Sequence, residues 1–284
     1  MPTVLVTGAS GFLGSRLVTQ LAGDWRVVAL SRKAPAVTDG EWLRGDFASF
    51  EDLRRLDALS IDALVHLAGE TGGATEEAAL GVNVLGSRRL MRYLADRGCR
   101  RFVLASSIAA AGCLDPRFVP AALPIATAHP CLARDAYGLS KAMLEELGGY
   151  VARTVPDCEV TSLRFGWVMY SSRPQMPWCD AAEPPPALPF LYLGQVAAAD
   201  VLDGIAAVLR APPRPGARVH HLVGPDLRVR GNVAGFLHAC LGARAAALDL
   251  SGFAADGASC GPVYSMRGLQ EAIGFHPRHS VCEA

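Results

Sequence analysis

Tyr137 and Lys141 stand four residues apart in the stretch YGLSK, inside a segment from Ala136 to Tyr150 that is patterned as a helix. At that spacing both side chains project from one helix face. A phenol with an ordinary pKa near 10 is a poor base at neutral pH, and an ammonium group beside it favours the phenolate. The pair is therefore suited to moving a proton to or from an oxygen atom. Only two of the 27 basic residues are lysine, and the other 25 are arginine. A compact ammonium can serve a phenol and neighbouring hydroxyls together, whereas the planar guanidinium fork is shaped for bidentate anions. With 6 tyrosines in 284 residues (6/284), a given lysine has one four positions upstream by chance about 2 % of the time.

The elements that must position this pair alternate along the chain. Apolar β-rich runs (TVLVT, RVVAL, DALVHLA, RFVLASS, EVTSLRF) are separated by longer helical patterns such as Phe12 to Ala22. Continuous apolar strands between amphipathic helices predict an α/β fold, a doubly wound parallel sheet covered on both faces. Further on, a helical run from Val196 to Arg210, a short strand at RVHHLVG, and a helical run near Val233 to Leu241 follow a proline-rich break from Arg173 to Pro189. That break reads as a loop or lid.

The first strand leads directly into TGASGFLG, with Gly8, Gly11 and Gly14 between strand and helix. The first glycine permits a tight turn, the second a close backbone approach to a pyrophosphate, and the third close packing of helix on strand. The helix N-terminus then faces the anion. The same spacing also fits a plain strand-to-helix turn, but its place at the head of a βαβ unit favours a dinucleotide cradle. The second strand ends VVALSRK, so Ser31 occupies the place where an acidic side chain would hold the ribose 2′-hydroxyl of NAD. Arg32 and Lys33 follow, offering a fork and a point charge to the 2′-phosphate of NADP, and NADP(H) is favoured over NAD(H). Read as ordinary loop charges, they carry no preference.

TGASGFLG, HLAG, NVLGS, ASS and YGLSK, in this order, resemble an extended short-chain dehydrogenase/reductase of the NAD-dependent epimerase/dehydratase superfamily. The ending, with GLQEAIGFHP, is similar to that superfamily's C-terminal pattern. The resemblance implies a Rossmann-type sheet with a small C-terminal substrate-binding lobe. Residues 1–166 would be mainly the NAD(P)-binding domain and 167–284 mainly the lobe, with 196–224 returning to the Rossmann core. It implies Ser107 as the catalytic serine, Tyr137 as acid/base and Lys141 as the tyrosine's modulator, with Ser106 passed over. Gly8, Ser10, Gly11, Phe12, Leu13, Gly14, Arg32 and Lys33 would contact the cofactor. So would Asp46 and Phe47 near the adenine, Leu67, Ala68 and Gly69 along the dinucleotide, and Tyr137 and Lys141 themselves. Asn83 matches an asparagine near the active-site helix, with a local capping role as the other reading. Phe165, Gly166 and Val168 fall where the family usually has Pro-Gly-x-Val beside the nicotinamide, phenylalanine standing for proline.

Departures from the family's subclasses narrow the chemistry. Sugar 4,6-dehydratases follow the catalytic hydroxyl residue with an Asp-Glu pair, whereas this chain has Ile108 and Ala109. Two apolar side chains cannot act as acid and base for elimination of water. Nucleotide-sugar epimerases commonly place an asparagine and an arginine on the substrate diphosphate, where this chain has Trp167 and FLYLGQV. Met176, Trp178, Phe190 and Tyr192 could form an apolar substrate pocket or could simply pack the lobe. An NADP(H)-dependent oxidoreductase acting on the carbonyl or secondary alcohol of a small metabolite leads. A nucleotide-sugar epimerase with tightly bound NAD, and a non-catalytic NADP-sensing regulator, remain as alternatives.

Formal charge is zero, from 27 acidic and 27 basic residues, so no nucleic-acid or membrane partner is expected. No basic-then-apolar leader and no run of 18 apolar residues stand in the sequence, which suggests a cytoplasmic protein. The eight cysteines form no CxxC pair, and His220, His221, His276 and His279 read as structural or surface residues, so no metal is expected. Helical segments near Thr75 and Asp135 resemble the family's dimer interface, which implies a homodimer.

Overall fold

The computed structural model describes residues 1–36, 39–170, 179–180, 186–257 and 259–282, with the backbone alone described at 179–180. Close contacts divide the chain into two units, Met1–Ser106 with Leu139–Leu163 and Ile205–Val219, and Ser107–Gly138 with Arg164–Gly204 and His220–Ala284.

The first unit is built from β1 (Thr3–Thr7), α1 (Phe12–Leu21), β2 (Arg26–Ser31), β3 (Glu41–Arg44), α2 (Phe50–Leu53) and β4 (Ala63–His66). Next come α3 (Glu76–Leu80), a π-helical segment Gly81–Gly86, α4 (Ser87–Ala95) and most of β5 (Arg101–Ser107), α5 (Ala136–Thr154) and β6 (Glu159–Phe165), whose ends at Ser107, at 136–138 and at 164–165 belong to the second unit. A seven-stranded sheet takes the order β10-β6-β5-β4-β1-β2-β3, where β10 is Gly216–Leu222. Pairing from β5 across to β3 is parallel. β1, β4 and β6 are buried at every position, as strands with helices on both faces require. The core on one side joins Leu5, Val28 and Leu64 of the strands to Leu90, Met91 and Leu94 of α4 and Leu144 and Val151 of α5.

Chain order reverses between β1 and β4, whose carboxyl ends therefore flank the crevice where open α/β sheets bind ligands. The sequence reading did not mark β3. Its four residues, EWLR, are exposed except Leu43, so an edge strand of this kind carries no apolar signal.

The second unit holds β7 (Trp167–Met169), β8 (Cys179–Asp180), α6 (Pro189–Tyr192), β9 (Gln195–Ala197) and most of α7 (Ala198–Arg210). After β10 come β11 (Val229–Arg230), α8 (Val233–Leu241) and α9 (Arg267–Ile273). Its sheets are two-stranded, β7 with β9 and β8 with β11. Phe190 and Tyr264 are fully buried, and the Tyr264 hydroxyl donates to the Phe190 carbonyl at 3.1 Å. Phe118 meets Phe190 edge-on at 5.5 Å, so Phe190 packs the unit. Tyr192 lies beside Phe236 at 6.1 Å and beneath the Arg228 guanidinium. The other two aromatic-pocket residues, Met176 and Trp178, lie outside the described residues.

Candidate functional site

Gly8 takes φ +72°, where a side chain is strained, and a Cβ there would stand 2.8 Å from the Ala68 amide nitrogen. The loop after β1 thus lies directly on the loop after β4, which carries Leu67, Ala68 and Gly69. A Cβ on Gly14 would overlap the Gly8 carbonyl and come within 2.8 Å of Ala9 Cα, all rigid backbone. Gly11, the cap of α1, offers no side chain to the helix terminus, and its amide donates to Gly8 O at 2.9 Å. Ser10 and Gly11 are exposed, and Phe12 and Leu13 half-buried, at the mouth of this turn. A turn that side chains would fill, opening on a helix N-terminus at the switch point, fits a dinucleotide pyrophosphate.

At the end of β2 the Ser31 hydroxyl is buried, donating to Lys33 O at 2.6 Å and accepting from Trp42 Nε1 at 3.1 Å. Arg32 and Lys33 project exposed from the same turn. Asp46 turns back on the chain, its Oδ1 accepting from the Ala48 amide at 2.9 Å, and the buried Phe47 ring meets His66 edge-on at 4.8 Å.

Asn83 sits fully buried in the π-helical segment and reaches out of its own helix. Its Oδ1 accepts from the Glu70 amide at 2.7 Å, and its Nδ2 donates to Glu70 O and to Ser140 Oγ, each at 2.9 Å. A Cβ at Gly69 would be 2.6 Å from Asn83 Oδ1 and 3.8 Å from Lys141 Nζ, so glycine there lets the loop lie against both. A single π turn commonly marks such a re-aimed side chain.

Lys141 is buried, and its Nζ donates to the Ala105 carbonyl of β5 at 2.7 Å. Burial lowers its pKa to about 8, and the Glu145 carboxylate opposes that fall. His66 is held neutral, its pKa pushed to about 3 by burial and secondarily by Lys141. Its ring bridges Thr7 Oγ1 at 2.6 Å and Ser87 Oγ at 2.8 Å.

Within the second unit, Ser107 ends β5 in extended conformation and its Oγ accepts from the Ala109 amide at 3.1 Å. Its hydroxyl also bonds the Tyr137 phenol, which lowers the Tyr137 pKa, but burial outweighs this and raises it above 10. The sequence reading expected a neighbouring ammonium to lower that value. In the folded chain the cost of burying a phenolate dominates, so Tyr137 is a neutral phenol. Asp135 caps the start of α5, its Oδ1 accepting from the Gly138 amide at 2.8 Å. Tyr137 lies in the first turn of α5 and Lys141 one turn later. Phe165 and Gly166 are buried and Val168 half-buried, and a Cβ on Gly166 would overlap the Gly194 carbonyl.

Three neighbours of these groups were absent from the sequence reading: His66, Ser140 and Glu145. Glu145 alone had a local signal, as the next step of the four-residue series Tyr137, Lys141, Glu145.

A parallel sheet flanked by helices, with a glycine turn at its switch point, defines a Rossmann-like nucleotide-binding protein. A model of the NAD dependent epimerase/dehydratase family matches residues 4–176. The chain belongs to that family, whose members are NAD(P)-dependent oxidoreductases and epimerases. UDP-glucose 4-epimerase of Cyamopsis tetragonoloba is 30 % identical over 184 residues, covering 57 % of this chain and 51 % of the relative. Ceramide reductase of Caulobacter vibrioides is 37 % identical over 113 residues, 38 % of this chain and 35 % of the relative. The chain spans about half the length of the first of these relatives and about a third of the second. Among solved structures, L-threonine 3-dehydrogenase from Trypanosoma brucei superposes with TM-score 0.71 at 18 % identity, over 99 % of this chain and 94 % of that one. MoeE5 in complex with UDP-glucuronic acid and NAD gives 0.67 at 24 %, over 98 % and 95 %. At these identities the superpositions speak for the fold.

Proposed function

We propose that the protein is an NADP(H)-dependent oxidoreductase that interconverts a carbonyl and a secondary alcohol on a small metabolite. The observation that carries this reading is the hydroxyl pair of Ser107 and Tyr137, hydrogen-bonded to each other, with the buried Lys141 one helical turn along α5. A bound nicotinamide supplies hydride to the carbonyl carbon or accepts it from the alcohol. The hydroxyls of Ser107 and Tyr137 hold the substrate oxygen, and the neutral Tyr137 gives that oxygen its proton in the reductive direction. In the oxidative direction Tyr137 must first give up its own proton before it can take that of the alcohol. Burial keeps Tyr137 protonated, which favours its part as an acid. The turn after β1 and the Leu67–Gly69 loop would hold the pyrophosphate and Asp46 the adenine. Arg32 and Lys33 would take the 2′-phosphate, since the buried Ser31 brings no carboxylate to repel it. Residues 1–166 would serve mainly as the cofactor domain and 167–284 mainly as the substrate lobe, with 196–224 returning to the Rossmann core.

Resemblance to UDP-glucose 4-epimerases favours a second reading, a nucleotide-sugar epimerase with tightly held NAD. Trp167, in place of a polar diphosphate contact, weighs against it. A cytoplasmic homodimer belongs to the proposal by resemblance to the family alone. Among the described residues no helix is long and apolar enough to cross a membrane. α5 exposes Met143 and Tyr150.

Titration calorimetry of cofactor-free protein with NADPH and NADH, repeated on Arg32→Ala, tests the cofactor. NADPH should bind more tightly, and the variant should lose about tenfold, the worth of one charged contact near 1.4 kcal/mol. Tight NAD(H) binding without that preference, together with turnover of UDP-sugars, would put the epimerase reading first.

A further inference from the structure

Lys141 and Glu145 are one helical turn apart on α5, and Ser106 stands on β5 between Ala105 and Ser107. The Ser106 hydroxyl donates to Glu145 Oε1 at 2.5 Å, the length of a charge-assisted bond. Lys141 Nζ donates to the carbonyl of Ala105, the residue before Ser106. Ser106, Lys141 and Glu145 are 2 %, 7 % and 8 % exposed, so water shields none of these interactions well. The result is a closed loop of contacts: β5 carbonyl to lysine, one turn of helix to glutamate, glutamate back to the next β5 residue.

We infer that Glu145 is a positioning residue that keeps Lys141 an ammonium ion and fixes the end of β5 that carries Ser107. This rests on reading Lys141 as the partner of Tyr137. The other groups that the described residues place beside Lys141 bring no negative charge. His66 on β4 is neutral, Asn83 is an amide, Ala105 offers a carbonyl dipole, and Tyr137 on its own helix is a neutral phenol. Burial alone draws the ammonium toward its neutral form, and Glu145 is the carboxylate that opposes this.

The chain's two lysines make the test direct. Protein labelled with 13C at lysine Cε gives two lysine signals, and Lys33→Arg assigns them. Followed by NMR against pH on the whole chain, without cofactor or substrate, the Lys141 signal should titrate with a midpoint near 8. In Glu145→Gln the midpoint should fall by about one pH unit, the effect of losing a close opposite charge. In Ser106→Ala, where the carboxylate remains, it should fall less. An unchanged midpoint in a Glu145→Gln variant that keeps its far-UV circular dichroism would overturn the inference. Should that variant not fold, Glu145→Asp retracts the carboxylate by one methylene, and a lowered or unchanged midpoint decides in the same sense. The titration needs no turnover, so failure to reduce any carbonyl would sink the proposed function and leave this result standing. Where turnover is found, the alkaline limb of the kcat profile should move to lower pH in Glu145→Gln by the same shift.

Discussion

A hydroxyl within hydrogen-bonding reach of a phenol has little effect on a folded core, and a great one if both must hold the same substrate oxygen. Tyr137→Phe removes only the atom that carries the proton and keeps the ring. It should lower kcat by about 10²- to 10⁴-fold, the range for loss of a general acid. NADPH affinity, measured by calorimetry, should change little, because the phenol's proton serves chemistry more than binding. Comparable turnover in the variant would remove Tyr137 from the mechanism. Lys141 adds a pH dependence whose sign follows from its burial. An ammonium with pKa about 8 is complete well below that value and lost above it. If the reaction needs the ammonium, kcat should decline as pH rises through about 8. A plateau continuing to pH 10 would show that the charge is dispensable.

The turn after β1 depends on space that a side chain would fill. Gly14→Ala drives a methyl group into the Gly8 carbonyl and the Ala9 Cα, both backbone, so the turn must shift. The expected cost is about 1–3 kcal/mol of stability, the usual scale of overpacking, with loss of NADPH binding. Gly23→Ala, where a Cβ meets nothing within 4 Å, is the control and should leave both unchanged. Equal behaviour of the two in thermal unfolding and calorimetry would refute the close approach. Elements with strong local signatures were legible from the sequence. β1 and β6 run over the residues their β-rich runs marked, Thr3–Thr7 and Glu159–Phe165; both are buried at every position, β1 mostly apolar as a strand covered on both faces is, whereas β6 also buries the polar Glu159, Thr161, Ser162 and Arg164. α8 coincides with the helical run from Val233 to Leu241. β3 and the two- and three-residue strands β7, β8, β9 and β11 are too short, and β3 too exposed, for periodicity to register. In the site, the pair at 137 and 141 was visible because a helix fixes its spacing. The bond from Ser106 to Glu145 joins residues 39 apart and exists only once β5 and α5 have packed.

Among the described residues, His66 in the first unit and His221 in the second are buried histidines that the native chain keeps neutral, and they shape how stability responds to acid. His66 in the first unit is lowered to about 3, chiefly by burial and then by Lys141. His221 in the second is also lowered to about 3, chiefly by burial and then by Arg164. It packs edge-on to Tyr264 at 5.2 Å and bonds Ser265 O at 3.2 Å. In the unfolded chain both return to about 6.5. Below that pH the unfolded chain binds protons that the native state refuses, so stability falls as pH drops from about 6.5 toward 3 and is insensitive to these groups above that range. From pH 7 to pH 5 each histidine should cost about 2 kcal/mol, since one pH unit is worth about 1.4 kcal/mol per proton. A single cooperative transition should therefore lose about 4 kcal/mol over this interval, whereas units that unfold separately should give two transitions losing about 2 kcal/mol each. Urea unfolding at pH 7, 6 and 5 measures this directly. His66→Gln should be less stable than the parent at pH 7, having disturbed the bridge from Thr7 to Ser87, yet lose less on acidification because one of the two sites is gone. Unfolding midpoints that stay constant from pH 7 to 5 in the parent chain would mean that neither imidazole is held neutral by the fold.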